Sequence, residues 1–557
     1  MSFIESLDFT VRKLLEPAQT AYKVPQYQRP YAWQVEQWEE LLNDVGNLKT
    51  GQELFLGSVV VIPQDKHRAG VNYFEVVDGQ QRLATLLIWF SAIRDSEIER
   101  GNQLFADHIN KTFLFSREFV GNEEKLIPKL TLGEPDNGTF LKILMKQNVN
   151  QKDLMAECYN YFKKNASESE LLNILLDNVY VIHINAMNHF NAFRLFETLN
   201  DRGLELSAVD LIKNFILMSL TSHNAKDEII NLTIHNWNEM YQKIGNDEPV
   251  KFIRRYTMSR YKGKVAETKL YETIKTKTQD FSIDQIVDFV KDINSKASIY
   301  KKIIDKGFDN LEINKSLSHL SMVEVGPSYT LLMKLFSFYE EDKIQKSKII
   351  EVLDMIETFH IRWGICGQVT AALDQIYSDI SSDIGEGNSV DFVGLVRERF
   401  TRELKSGAED ITFERNFKTR SFRTSELRTK YILWKLSDPT GETILDINNI
   451  ETEHIMPQTL SKDWYNYLIN NTNKTSEEIK VMFEENLNRI GNLTIMKDAW
   501  NTRDSNKLFD VKKNDYQNSE FAATNNLASF NEWTFDEIEE RSTLFSQKAL
   551  AKWPWKF

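Results

Sequence analysis

Two adjacent side chains near the carboxyl end have the chemistry of an acid–base site. Glu453 and His454 are followed by Pro457, which turns the chain, and no histidine other than His454 occurs after His360. Imidazole titrates near neutrality and can take a proton from water, while a carboxylate binds hard cations. A solvated or core histidine is the simpler alternative. In an extended strand the two side chains would point to opposite faces.

Three of the asparagines in residues 486–513, which follow this pair, are candidates for the same site. Asn492, Asn501 and Asn506 are separated by intervals of nine and five residues. Asparagine amides bind hard cations through oxygen, or hold a loop by hydrogen-bonding its backbone. Helix capping is the simpler alternative. The asparagines are therefore candidates for the second half of a metal site.

A second candidate site lies near the amino end, where a strand-like run meets a helical one. It reads Asp78, Gly79, Gln80, Gln81 and Arg82. The free N–H groups and the dipole of a helix start attract anions. Gly79 permits a tight turn, Arg82 can neutralise phosphate, and Asp78 can hold a cation or orient a water. Alternatively, Asp78 only caps the helix. No GxxxxGK[ST] motif occurs, which disfavours a P-loop NTPase.

Two polar clusters accompany this motif. Residues 25–33 form a turn-prone segment rich in aromatic rings and side-chain amides, with the candidate residues Tyr27, Gln28, Arg29, Tyr31 and Trp33. The second cluster, in residues 196–213, contains the candidate residues Asn200, Arg202 and Lys213, with Ser207 as a helix N-cap. Tyr31 and Trp33 can also be core aromatics.

Basic side chains are concentrated in two segments. Residues 413–435 carry seven basic and two acidic side chains, and four of them are candidates for contact with a DNA backbone: Arg415, Lys418, Arg420 and Arg423. Residues 251–264 carry six basic side chains and no acidic one. A solvated helix face explains any single one of these residues equally well.

The pattern of apolar residues predicts the elements that carry these candidates. Short β-branched runs at 54–62, 73–78 and 179–186 predict strands, and the apolar run at 82–93 predicts a buried helix. Helical periodicity dominates the middle of the chain, and strand-like pieces such as 492–496 return after it. The polar run from Ser378 to Asn388 is typical of a loop. We predict a mostly helical, α+β multidomain chain with regions 1–225, 226–405 and 406–557.

Composition narrows the class of protein. The chain has 557 residues, a net charge of −13 and only two cysteines, Cys158 and Cys366. Two distant cysteines exclude a disulfide framework and a four-cysteine zinc site. The negative charge requires any DNA contact to use local basic surface. The sequence has no run typical of a membrane span or secretory signal, so we expect a soluble, cytoplasmic protein.

The carboxy-terminal motifs resemble a known nuclease signature. The stretches EHIMPQ, GNLTIM, WN and SNKLF are similar to the HNH (His-Me finger) nuclease, a ββα unit that holds one metal ion, and in particular to that domain of GmrSD-type and SspE-type modification-dependent restriction enzymes. The resemblance makes His454 the general base and Glu453 and Asn501 ligands of Mg²⁺ or Mn²⁺. Asn506 would support the metal helix, Asn492 would brace the loop, and Lys512 or Lys513 would meet the cut strand.

The amino-terminal motifs resemble the partner domain of the same family. QYQRPYAW, DGQQR and FETLNDRGLELSAVDLIKN are similar to its ParB/sulfiredoxin-like domain, which is associated with nucleotide hydrolysis and recognition of modified DNA. The resemblance assigns residues 78–82 to the nucleotide phosphates, with Asp78 and Arg82 catalytic, and adds Asn200, Arg202 and Lys213 to that pocket. The residues of the 25–33 segment named above would sense modified DNA.

Together these motifs lead to one main hypothesis and two alternatives. The main hypothesis is a nucleotide-regulated, metal-dependent DNA endonuclease, or nickase, that senses modified or foreign double-stranded DNA in antiphage defence. Its cofactors would be Mg²⁺ or Mn²⁺ and ATP or GTP, and a homodimer is one option. The first alternative is an NTP-dependent DNA-binding switch with an inactive nuclease finger that acts through a partner. The second is an unselective, toxin-like nuclease.

Overall fold

The computed structural model forms two compact units. The amino-terminal unit comprises Met1–Ile253 and Ala266–Ser295, and the carboxy-terminal unit comprises Arg254–Val265 and Lys296–Phe557. The structure describes residues 4–25, 28, 30–49, 51–64, 70–120, 123–133, 136–186, 207–245, 248–385, 391–437, 450–497 and 506–557. The structure is mostly helical with one larger mixed sheet, which confirms the α+β class. The predicted region limits near 225 and 405 stay predictions.

The amino-terminal unit is built on a six-stranded mixed sheet. Its strands are β1 (Ile4–Thr10), β2 (Thr20–Lys23), β3 (Leu54–Pro63), β4 (Asn72–Asp78), β7 (Leu130–Thr131) and β8 (Val179–Ala186), and a separate hairpin contains β5 (Phe115–Val120) and β6 (Glu123–Pro128). The strand order in the sheet is β1-β8-β3-β4-β2-β7, in which β8 and β3 are parallel and β3 and β4 antiparallel. The strands expected at 54–62, 73–78 and 179–186 are thus confirmed.

The described part of the first 305 residues also contains helices between and after these strands. They are α1 (Val11–Leu15), α2 (Val35–Gly46), α3 (Gln80–Glu99), α4 (Gln103–Ile109), α5 (Asp136–Leu144), α6 (Leu154–Asn165), α7 (Ser169–Asp177), α8 (Ala208–Ser222), α9 (Asp227–Ile244), α10 (Pro249–Arg260), α11 (Leu270–Thr278) and α12 (Ile283–Asp305). Helix α8 begins at the predicted N-cap, because the Ser207 side chain accepts a hydrogen bond from the Asp210 N–H.

Helix α3 is the centre of the amino-terminal core. Its side chains are buried from Gln80 to Glu97 with few exceptions, as the apolar run at 82–93 predicts. Trp89 stacks on Phe162 with ring centroids 4.4 Å apart, and its indole N–H donates to the Ala166 carbonyl. Because α3 follows β4 directly, this packing fixes the Asp78–Arg82 motif at the start of the most buried helix of the unit.

In its described residues, the carboxy-terminal unit has helices and one pair of strands. Its described helices are α13 (Leu311–Met322), α14 (Tyr329–Glu340), α15 (Lys346–Ile365), α16 (Leu373–Ile384), α17 (Phe392–Lys405), α18 (Asp410–Thr419), α19 (Leu427–Ser437), α20 (Lys462–Asn471), α21 (Ser476–Leu487), α22 (Phe509–Tyr516), α23 (Ala522–Asn525) and α24 (Phe535–Lys552). Strands β9 (Ile450–His454) and β10 (Leu493–Lys497) pair antiparallel. Trp464, Phe509 and Trp533 are buried in the core around them.

One loop prediction in this unit is wrong. Residues 378–384 belong to helix α16, although the run from Ser378 is largely polar. Ile376, Tyr377 and Ile380 supply the apolar stripe that the helix buries. The Ser378 hydroxyl is buried as well, and it hydrogen-bonds main-chain carbonyls such as that of Met258 at 2.9 Å. A buried serine that bonds backbone therefore looks like a loop residue in the sequence.

No helix in the described part of the chain has the length and apolar character needed to cross a membrane.

Candidate active site

Glu453 and His454 end strand β9, and their side chains point to opposite faces. Glu453 pairs with Thr494 and His454 with Leu493 on strand β10. The Glu453 carboxylate contacts helix α22, whereas the His454 ring contacts Asn488, which follows helix α21. The opposite orientation expected for neighbours in a strand is confirmed, so one ion cannot simply sit between the two side chains.

Two amide side chains hold the His454 imidazole. Its Nε2–H donates to Asn488 Oδ1 at 3.0 Å, and its Nδ1 accepts from the Gln458 amide nitrogen at 3.3 Å. An N–H on Nε2 leaves the Nδ1 lone pair as the proton acceptor. The imidazole is buried and Gln458 is exposed, so water reaches Nδ1 when the Gln458 amide moves aside. Burial lowers the pKa of His454 below its usual 6.5 and keeps the ring neutral.

Asn492 binds the loop that follows His454. Its Oδ1 accepts from the Met456 N–H at 2.8 Å, and its Nδ2 donates to the Met456 carbonyl at 3.0 Å. Nδ2 also donates to the Leu487 carbonyl, and the Trp533 indole N–H donates to Oδ1. A fully buried amide with all these partners fixes the backbone next to the imidazole.

Helix α24 packs against the turn that precedes strand β10 and contains Asn492. The Arg541 guanidinium is buried and donates to the carbonyls of Gly491 and Leu493 at 2.7 and 2.6 Å. Burial lowers the pKa of Arg541 to about 9. Gly491 lies directly against the helix, and its N–H donates to the Ser542 hydroxyl at 3.1 Å. The turn before β10 is therefore held by a cation and by close backbone contact.

The Glu453 carboxylate is paired with an ammonium group. Lys512 Nζ lies 2.5 Å from Glu453 Oε1, and the Lys512 side chain is 1% exposed. The Lys512 charge is therefore buried and paired, which does not favour its expected contact with a DNA strand; that contact stays a prediction. Lys513 differs, since it is half-buried and donates to the Phe530 carbonyl. A metal ion at Glu453 would have to compete with the Lys512 ammonium.

The other expected metal residues do not complete a ligand set. Asn501 lies outside the described residues, and Asn506 is exposed just before helix α22. Within the residues that the structure describes, no group of three or more His, Cys, Asp or Glu side chains could hold a metal ion. The described donors thus do not fit a divalent cation at Glu453.

The basic residues before the site divide into exposed and inward-facing ones. Arg415 and Arg423 are exposed, and Lys418 lies 3.4 Å from Glu414 on the same helix face. Arg420 turns inward and donates to the carbonyls of Gly364 and Ile365. This placement does not favour its expected DNA contact, which stays a prediction. A guanidinium that caps a helix carboxyl end in this way is not presented to phosphate.

The segment 251–264 contains two inward-facing arginines and four exposed basic residues. Arg254 donates to the Val265 carbonyl and pairs with Asp374, and Arg255 donates to the Tyr300 hydroxyl at 2.7 Å. The exposed residues are Lys251, Arg260, Lys262 and Lys264, so contact of this stretch with DNA stays a prediction.

In the amino-terminal unit, Asp78 and Arg82 form one small cluster with strand β3. Arg82 donates to the Ser58 carbonyl at 2.7 Å and lies 3.7 Å from Asp78. Gly79 has a φ of +95°, and a Cβ there would lie 3.0 Å from a Val59 methyl group. Only glycine fits this turn, which lets helix α3 start against β3.

Gln80 and Gln81 face a different side, towards the segment 25–33. They line a small pocket together with Gln28, Tyr31 and Asp136. The Gln81 side chain accepts from the Ala32 N–H at 2.9 Å and donates to the Pro30 carbonyl at 3.1 Å. Gln28 donates to the Val77 carbonyl. The fold thus brings two of the three amino-terminal motifs into contact.

Tyr31 lies in the amino-terminal core. It is 5% exposed, and its hydroxyl hydrogen-bonds Thr85 and accepts from the Trp38 indole. An enclosed ring favours the core alternative over stacking on a base, and a role of Tyr31 in sensing modified DNA stays a prediction. Trp33 is partly buried against the same core. Lys213 is buried on α8, and the remaining candidates lie outside the described residues: Tyr27, Arg29, Asn200 and Arg202.

Two residues of the carboxy-terminal site escaped the sequence analysis. Asn488 and Gln458 orient His454, although neither was assigned a role. Gln458 follows His454 by four residues in EHIMPQ, and Asn488 precedes Asn492 by four. The only sequence signal for these two residues was a polar side chain four positions from His454 or Asn492, and this spacing is too common to be specific.

Comparisons with known proteins agree with the two motif regions. No curated protein matches the chain. The family model described as GmrSD restriction endonuclease, N-terminal domain, matches residues 11–217, and the model described as GmrSD restriction endonucleases, C-terminal domain, matches residues 408–548. Together the matches cover more than half of the chain and define a restriction endonuclease, an enzyme whose substrate is DNA. The chain belongs to the GmrSD restriction endonuclease family.

Proposed function

We propose that this chain is a nucleotide-regulated, divalent-metal-dependent endonuclease that nicks modified or foreign DNA in antiphage defence. The observation that carries the proposal is the fixed imidazole of His454. Its Nε2–H is bound to Asn488, and its Nδ1 lone pair accepts a hydrogen bond from the exposed Gln458 amide. A neutral, oriented imidazole can act as a general base once water takes the place of that amide at Nδ1.

In the proposed reaction, His454 accepts a proton from water. The water oxygen attacks the phosphodiester phosphorus, and the bond between phosphorus and the leaving sugar oxygen breaks. Asn488 holds the ring by its far nitrogen while Nδ1 takes the proton, and Asn492 fixes the adjacent loop. One base per chain serves one strand cut, which favours nicking over double-strand cleavage by a single chain.

Mg²⁺ or Mn²⁺ is the proposed cofactor, and it would screen the charge that builds up on the phosphate. Glu453 faces Lys512, so its carboxylate is not open to the ion. We therefore assign no step to the metal. Removal of divalent ions by EDTA is expected to stop cleavage, and added Mg²⁺ to restore it.

The finer fold assignments are part of this proposal. Strands β9 and β10 pair antiparallel, and α22 is the next described helix after β10, which supports a ββα finger in which α20 and α21 are inserted between the two strands. The mixed sheet of the amino-terminal unit, with α3 starting directly after β4, supports the ParB-like assignment. The nucleotide phosphates would lie at the start of α3, where Gly79 opens the turn and Arg82 supplies positive charge.

Arg82 provides the test of the nucleotide site. Arg82→Ala is expected to lower ATP or GTP hydrolysis by about 100-fold, since hydrogen bonds to charged groups contribute roughly 1.5–3 kcal/mol each. The measurement is phosphate release by the purified chain. Arg117→Ala is the matched control, because Arg117 pairs with Glu124 on the surface hairpin. Hydrolysis at the wild-type rate by a folded Arg82→Ala protein would place the nucleotide site elsewhere.

The proposed function as a whole is tested with circular DNA. Matched plasmids and phage DNA, unmodified, hydroxymethylated, glucosylated or phosphorothioated, are incubated with the protein and Mg²⁺, with and without ATP or GTP. Nicked circles that depend on both modification and nucleotide are the expected result. Nucleotide binding without any nicked product would instead identify a binding switch, and equal cutting of every DNA would identify an unselective nuclease.

A further inference from the structure

The Lys512 ammonium donates three hydrogen bonds to the end of strand β9 and the residue after it. Nζ donates to Glu453 Oε1 at 2.5 Å, to the His454 carbonyl at 2.8 Å and to the Ile455 carbonyl at 3.2 Å. Lys512 and Glu453 are 1% and 7% exposed in their side chains. A buried ammonium requires a counter-ion and hydrogen-bond acceptors, and all of these are present at this strand end.

We propose that Glu453 and Lys512 are a positioning pair, in which Glu453 is the counter-ion of Lys512 and not a ligand of the divalent cation. This inference rests on the proposed function. The two carbonyls that Lys512 binds belong to the catalytic histidine and to the residue after it. The pair therefore joins helix α22 to the backbone of His454, while the imidazole projects from the opposite face towards Asn488.

Strand β9 contributes the carboxylate of a second Glu–Lys pair, and that carboxylate is more exposed than Glu453. Lys430 donates to the Ile450 carbonyl at 2.7 Å and lies 3.2 Å from Glu451. The Glu451 side chain is 42% exposed, so water can take the place of Lys430 as its hydrogen-bond partner. Glu451 lies two residues before Glu453 and on the same face of the strand. Glu451→Gln is therefore a matched control for Glu453→Gln.

A double-mutant cycle separates a positioning pair from a metal ligand. The variants are Glu453→Gln, Lys512→Met and the double variant, with Glu451→Gln as control, all in the full chain. Three quantities are measured: Tm, the kcat and KM of DNA nicking, and Mn²⁺ affinity by calorimetry. Either single variant leaves one buried charge without its partner, whereas the double variant removes both charges.

For a positioning pair, each single variant is expected to lower the Tm by about 10 °C and the kcat by about 100-fold, with KM little changed. The double variant is expected to recover most of the Tm and at least about tenfold in kcat, because no unpaired buried charge remains. Mn²⁺ affinity is expected to stay within about twofold of wild type in all variants, since none removes a metal ligand. Glu451→Gln is expected to behave as wild type.

Two results would overturn the proposal. One is a loss of Mn²⁺ affinity of tenfold or more in Glu453→Gln, which would make Glu453 a ligand. The other is a double variant whose Tm and kcat are no better than those of the single variants. If the wild-type chain does not nick DNA, the proposed function fails, but the Tm cycle and the Mn²⁺ titration still decide the role of the pair.

Discussion

His454→Ala is expected to lower the rate of DNA cleavage by about 10²–10⁴-fold, the range for loss of a general acid–base group. The structure gives the reason, because the imidazole is held by Asn488 through Nε2 and offers Nδ1 as the proton acceptor. The measurement is single-turnover nicking of a labelled duplex. A melting curve of the same protein must show that the carboxy-terminal unit is still folded.

His235→Ala is the control for this prediction. His235 lies on helix α9, and its side chain is 69% exposed, so its removal should leave both fold and cleavage unchanged. Nicking by folded His454→Ala at the wild-type rate would remove His454 from the reaction. The carboxy-terminal unit would then need another base.

Gly491→Ala is expected to have the largest effect on stability. A Cβ at position 491 would lie closer than 3.0 Å to the Ile538 carbonyl oxygen and 2.9 Å from the Ser542 nitrogen, both of which belong to helix α24. Backbone atoms of a packed helix cannot move aside as a flexible side chain does, so we expect the free energy of unfolding to fall by at least about 3 kcal/mol. Denaturant unfolding of the full chain measures this change.

Gly138→Ala is the matched control, since nothing lies within 4 Å of a Cβ at that helical position. It should leave stability unchanged or raise it slightly, because alanine is the better helix former. Gly491→Ala should also lower cleavage, because Asn492 and Arg541 act on the same turn. Equal stability of Gly491→Ala and wild type would show that helix α24 does not pack closely against the turn at Gly491.

Elements whose packing depends on local periodicity were predictable from the sequence. Strand β8 has the predicted limits 179–186, and helix α3 contains the whole run 82–93. Both are rich in apolar residues that are buried on every side or on a regular face. The polar half of α16 was missed because its serines are buried through hydrogen bonds to backbone, which no hydropathy pattern records.

The partners of charged residues were not predictable in the same way. Lys512 and Glu453 are 59 residues apart in sequence, and Arg420 meets Gly364 and Ile365 after 56 and 55 residues. Residue type and spacing cannot show whether a lysine meets DNA or a carboxylate. That choice depends on how helix α22 packs on strand β9, which is a tertiary property.

The candidate site was predictable in its residues but not in its geometry. Spacing selected His454 and Asn492, and the fold then placed Asn492 on both peptide groups of Met456. Spacing could not select Asn488, because an asparagine that ends helix α21 has the same sequence signature whether or not it binds an imidazole. The orientation of the catalytic ring is therefore a result of the structure alone.

The pH dependence of DNA cleavage tests the central claim most directly. Burial lowers the pKa of His454 below 6.5, and the base acts only when it is neutral. Because kcat/KM reports the free enzyme, it should be constant above the His454 pKa and fall below it, with a one-proton midpoint under pH 6.5. This acid limb should be absent from the residual activity of His454→Ala. A rate without an acid limb, or a limb that persists in His454→Ala, would contradict the assignment of His454 as the base.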